Sequence, residues 1–181
     1  MGRHDTRDIA AALQRVESVL RRRPESGLRD EEPALARWQG GTRVVASHAD
    51  GTCLETDLPQ ELGGRGDRPS PGWLAMAGLA ACATARLAMA AAAEGIELER
   101  LEVEATGRSD ARGVFGLADG DGRTVSPAPC ELALHVRVAA AGVSADRLRA
   151  LVEHSQRLAP VGRSMQEPLP LALHIEIVES D

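Results

Sequence analysis

The chain has no lysine, no asparagine and no tyrosine, and only one phenylalanine and two tryptophans among 181 residues. All 21 basic side chains are therefore arginine. Without lysine there is no P-loop phosphate lysine and no amine for a Schiff base, which removes pyridoxal and aldolase chemistry. So few aromatics leave little to stack on nucleic-acid bases, and a net charge of −6 argues against a basic binding face. The one basic run, Arg21 to Arg23, reads as the end of a helix. Cys53, Cys82 and Cys130 are scattered, with no CxxC or Cys/His spacing for a metal. The charged N-terminus MGRHDTRDIAAAL lacks the apolar core of a signal peptide. The expectation is a cytoplasmic protein with reduced thiols, no metal and no nucleic-acid partner.

What is present points to one α+β domain with an appended helix. Residues 1–30 form the appendage: an amphipathic helix over 5–23 with Ile9, Leu13, Val16 and Leu20 on one face, stopped by Pro24 and followed by a polar linker. Residues 31–181 form the domain. ALARWQ, TRVVASHA and TCLETDL read as three antiparallel strands joined at Gly40-Gly41 and Asp50-Gly51. A loop rich in Gly and Pro leads to Ser70-Pro71, an N-cap followed by proline at the first helical position, and Gly95 closes that helix. LERLEVEAT and CELALHVRVAA alternate as strands around a long excursion, whose DGDG reads as a turn rather than a calcium loop. Ser144 caps a further helix, APVGRSM begins a short one, and LPLALHIEIVES is expected to close the chain as a strand.

The helix from Pro71 to about Glu94 carries the longest apolar run and holds Cys82. It has the length of a membrane span, but its Ala and Gly content and the mid-helix Arg86 argue against insertion. A helix apolar on nearly every side is buried on every side. Gly72, Ala75, Gly78, Ala81 and Ala85 would let a second backbone approach closely, so a homodimer is the physical expectation. By its pattern alone, Cys82 reads as an inert core thiol.

RWQGGTRVVASHADGTCLETDLPQELGG, RPSPGWLAMAGLAACATARLAMAAAAEGIELERLEVEATG, LRALVEHSQRLAPVGRSM and LALHIEI, taken in order, resemble the OsmC/Ohr family of thiol-dependent peroxide-handling proteins. The resemblance covers Ala34 to Val178 and is most specific at the PSP…LAAC approach to the central helix. It implies an OsmC-like α+β fold with a largely antiparallel sheet, intertwined as a homodimer around paired central helices, with active sites at the dimer interface. It also implies that Cys82 is the peroxidatic cysteine attacking a small-molecule hydroperoxide, with Arg37 or Arg43 stabilising the thiolate and no cofactor.

Two departures accompany the resemblance. The family's resolving-cysteine segment reads Ala159-Pro160-Val161, and Gly72-Trp73 stand where a helix-start glutamate often orients the arginine. Glu55, Asp57 and Glu61 are the candidate replacement carboxylates. Cys53 and Cys130 are candidate resolving thiols, beside an external thiol or dithiol reductant. The alternative expectation is a catalytically degenerate member that binds a small hydrophobic ligand at the dimer interface. His135 and His174 fall on polar strand faces, where solvent exposure accounts for them.

Overall fold

A computed structural model describes residues 6–167 and 169–178. The elements run α1 (Thr6–Arg22), β1 (Leu35–Gly40), β2 (Arg43–Ser47), β3 (Cys53–Thr56), α2 (Pro71–Ala93), β4 (Arg100–Arg108), α3 (Ala111–Val114), β5 (Cys130–Ala139), α4 (Ala145–Arg157) and α5 (Pro160–Gln166). The fold is α+β and every strand pair is antiparallel, but the strands form two sheets rather than one. β1-β2-β3 is a meander and β4-β5 a two-stranded ribbon.

The caps act as the residue types dictate. The Ser70 side chain accepts a hydrogen bond from the Trp73 amide and starts α2, with Pro71 at its first position. Gly95, at φ 67°, ends it in the left-handed conformation that a side chain would resist. Ser144 starts α4 by accepting from the Arg147 amide.

α2 is the centre of the helical layer, packing against β4, α1, α4 and α5. By length and composition it would also suit a membrane, and here one side of it packs against the chain's own elements. That core is small: Leu87, Ala90, Ala91 and Leu151 are buried, with Ile96, Leu98, Leu101, Val136 and Val152 packed against them. Gln156 on α4 donates from Nε2 to the Ala83 carbonyl of α2 at 3.3 Å. The appended helix α1 packs on α2 of its own chain.

Burial of α2 is one-sided. Leu79, Ala83, Leu87 and Ala90–Ala92 are covered, whereas Gly78, Ala81, Ala85 and Met89 on the opposite flank are open. The meander is similar: Ala36, Trp38, Val44, Ala46 and Leu54 share one face by register, and Trp38 is 73 % and Leu54 51 % exposed. The expected last strand does not form. Residues 169–178 have no regular structure, and Leu171, Leu173, Ile175 and Ile177 stand in solvent (Glu179 and Ser180 lie outside the described residues). A strand needs a neighbouring ladder to satisfy its backbone groups, and among the described residues no strand pairs with the segment.

The chain exposes 14178 Å², against about 8,400 Å² for a folded monomer of its mass. Leu87→Ala is expected to lower stability by about 2–5 kcal/mol and Ser70→Ala by about 1 kcal/mol. Urea unfolding curves of the two variants against the wild type check both values.

Candidate active site

Cys82 lies in the middle of α2 and is half-buried. At 100° per residue it sits on the border of the open flank, beside Gly78, Ala85 and Met89, and away from the buried line of Leu79, Ala83 and Leu87. Its own chain therefore holds the thiol at the edge of an apolar surface without covering it. Arg86, one turn later, is also half-buried but lines a groove against α1.

The two arginines lie together on the meander, with no extensive packing between that sheet and α2. Arg37 pairs in register with Val45, and Val45 with Glu55. Arg43 is two residues along the same strand as Val45, so Arg37, Arg43, Glu55 and Asp57 share the polar face. Their circumstances differ. Arg37 is exposed and makes no ion pair among the described residues. Arg43 is enclosed by carboxylates: its Nη2 donates to Asp57 Oδ2 at 2.9 Å and to Asp67 Oδ1, and Nη1 stands 3.6 Å from Glu55 Oε2.

Asp57 is the anchor of this cluster and is only 2 % exposed. It accepts from Thr42 Oγ1 at 2.5 Å, from the Leu58 amide at 2.8 Å, from the Arg65 amide at 3.2 Å and from Arg43. The Thr42 hydroxyl, helped by those amides and by Arg43, holds the carboxyl far below the usual carboxylate range, and burial only partly opposes it. Hydrogen bonding to Asp57, with the Asp67 charge added, raises Arg43 above its ordinary value against the effect of burial. Gly64 lets the loop close over the cluster, because a Cβ there would fall 1.8 Å from the Leu58 carbonyl oxygen. The adjoining cleft, about 460 Å³, is lined by Gln39, Gly41, Arg43, Asp57, Gly64 and Arg65.

Of the three candidate carboxylates, Asp57 is the one that grips Arg43; Glu55 accepts instead from Arg68 Nε at 2.7 Å. A sequence signal for this was available. The hairpin around Asp50-Gly51 pairs Val44 with Thr56, and one further step sets Arg43 opposite Asp57. The loop that brings Asp67 back had no such signal.

The candidate resolving thiols are separated. Cys53 is exposed on β3. Cys130 lines a cleft of about 480 Å³ together with Leu79 of α2 and Gly162 of α5. Ala159, at the position where the family resemblance implies a resolving cysteine, is 1 % exposed. His135 is exposed and meets Thr106 Oγ1 at 3.1 Å, and His174 is exposed. Among the described residues no group of three His, Cys, Asp or Glu side chains is placed to hold a metal ion.

The sequence profile of the OsmC-like proteins matches residues 64–174. No curated protein sequence matches the chain. Among solved structures, an OsmC-like protein from Mycoplasma pneumoniae is 18 % identical, with TM-score 0.64 over 78 % of this chain and 91 % of that one. An organic hydroperoxide resistance protein from Legionella pneumophila is 22 % identical, with TM-score 0.54 over 76 % and 92 %. A putative organic hydroperoxide resistance protein from Vibrio cholerae, described with captopril bound in one of its active sites, is 23 % identical, with TM-score 0.53 over 78 % and 89 %.

The tightly held Asp57 gives a pH prediction. A folded-state value below the ordinary 3.8 stabilises the fold above that pH and loses its contribution as the pH falls further. Asp57→Asn should therefore lower Tm by several degrees at neutral pH, and the gap from wild type should narrow in acid below the ordinary value. Thermal melts across that range check it.

Proposed function

The chain belongs to the OsmC-like family, and from that premise we propose that it is a homodimeric thiol peroxidase whose nucleophile is Cys82. The observation that carries the reading is the position of Cys82 on a helix whose other flank is apolar, lined with small residues and uncovered. A second copy packed on that flank encloses the thiol in a dry, apolar site suited to an organic hydroperoxide. The names of the Legionella and Vibrio relatives agree with a role in hydroperoxide resistance.

The surface argues for the partner. The open flank of α2, the apolar face of the meander and residues 169–178 are three uncovered apolar surfaces on one chain. Stable obligate interfaces bury roughly 2,000–5,000 Å² counted over both partners, and this one chain exposes about 5,800 Å² beyond the expectation for its mass, more than its share of such an interface. Pairing of residues 169–178 with a partner's sheet would supply the ladder that the single chain lacks.

In the proposed cycle the Cys82 thiolate attacks one peroxide oxygen. The sulfur takes the terminal hydroxyl and is oxidised to sulfenic acid as the O–O bond breaks, and the alkoxide leaves as the alcohol by taking the proton that the thiol gave up. An external thiol condenses with the sulfenic acid, releasing water and forming a mixed disulfide; a second thiol reduces that disulfide and regenerates Cys82. Arg37 of the partner subunit is the better thiolate-stabilising cation, because Arg43 is already held by Asp57 and Asp67. If a resolving thiol lies within the protein, Cys130 is better placed than Cys53, since its cleft reaches Leu79, one turn before Cys82. We place the reaction in the cytoplasm, where such reductants are available.

The second reading is a ligand-binding member without turnover. It is favoured by Ala159 and by Gly72-Trp73, which remove the resolving cysteine and the helix-start glutamate from their usual places. The two readings separate in one assay. With an organic hydroperoxide and excess dithiol, the wild type should consume peroxide, Cys82→Ser should be inactive, and Arg37→Ala should lose at least tenfold more rate than Arg43→Ala. Wild-type consumption equal to that of Cys82→Ser would leave the binding reading.

A further inference from the structure

The groove between α1 and the C-terminal half of α2 borders the open flank, with which it shares Met89, but takes no part in the chemistry proposed above. Leu13, Val16 and Leu20 of α1 face Met89 of α2 across it, and its volume is about 560 Å³, inside the range of roughly 300–1,000 Å³ usual for small-ligand sites. The α1 wall from Leu13 to Leu20 runs about 10 Å, a length suited to a medium alkyl chain.

The charges around this apolar trough are unevenly satisfied. Glu17 on the rim is held by Arg21 Nη2 at 2.5 Å, and Glu94 by Arg147 Nη2 at 2.5 Å. Arg86 and His154 also line the groove. Arg86 is half-buried, yet it makes no hydrogen bond or ion pair among the described residues. A guanidinium taken partly out of water and left unpaired is unfavourable, and a carboxylate is the planar partner that satisfies it through two parallel hydrogen bonds. His154 adds a second donor for the same anion.

We propose that this groove binds a free single-chain amphipathic carboxylate, with its alkyl chain along the α1 wall and its head group on Arg86. One side of the groove comes from α1, outside residues 64–174, so the site belongs to what this chain adds to the family domain. It does not depend on the redox role of Cys82.

The test is isothermal titration of the full chain with decanoate and, separately, with decanol. Decanoate should bind the wild type, and Arg86→Gln should weaken it at least tenfold. Val16→Glu, on an exposed position of α1, should do the same by placing a competing carboxylate in the groove without altering α2. Decanol should bind more weakly than decanoate and should not distinguish wild type from Arg86→Gln. Cys82→Ser should bind decanoate as the wild type does, whatever its peroxide activity. The proposal is overturned if decanoate gives no binding, as when a partner chain already fills the groove. It is equally overturned if folded Arg86→Gln and Val16→Glu keep wild-type affinity, if decanol binds as tightly as decanoate, or if Cys82→Ser abolishes binding.

Discussion

The structure depends on how α2 is covered. A 23-residue helix with apolar or small side chains around most of its circumference cannot leave half its surface in water without a large hydrophobic cost. Its own chain covers one flank with β4, α4 and α5, and α1 lies along it. The other flank, with Gly78, Ala81 and Ala85, is flat enough for another helix to come close. The position of Cys82 on the border between covered and uncovered flanks makes packing and chemistry one problem. Whatever closes the flank also sets the dielectric and the water access around the thiol.

The meander contributes a different constraint. Its polar face is organised by Asp57, a buried carboxylate with four donors, which fixes the β2 start and the following loop around Arg43. That arrangement uses one arginine to hold the sheet and leaves Arg37 free to serve elsewhere. Arg43 is fixed in place by Asp57 and Asp67.

Much of the fold is legible in the sequence wherever the deciding interactions are local. Ser70-Pro71 and Gly95 bracket α2, Ser144 starts α4, and Gly40-Gly41 and Asp50-Gly51 set the hairpins of the meander. The register of β2 on β3 carries even the Arg43–Asp57 pair. Legibility fails where the deciding partner is distant or lies outside the chain. Residues 169–178 have the alternation of a strand but find no ladder, because alternation states which face is apolar and not what it pairs with. The division of the strands into two sheets, and the choice between Arg37 and Arg43, are likewise set by contacts that no local pattern records. α1 shows the same limit, since its apolar stripe required a partner and only the structure identifies that partner as α2 of the same chain.

In the proposed dimer two copies complete one site, with Cys82 from one subunit and Arg37 from the other. Co-expression of a Cys82→Ser chain with an Arg37→Ala chain tests it most directly, through the peroxide-consumption rate of the purified mixed dimer. Activity well above either variant alone is expected, because one site in each mixed dimer regains both groups. A mixed dimer no more active than its parents would contradict it.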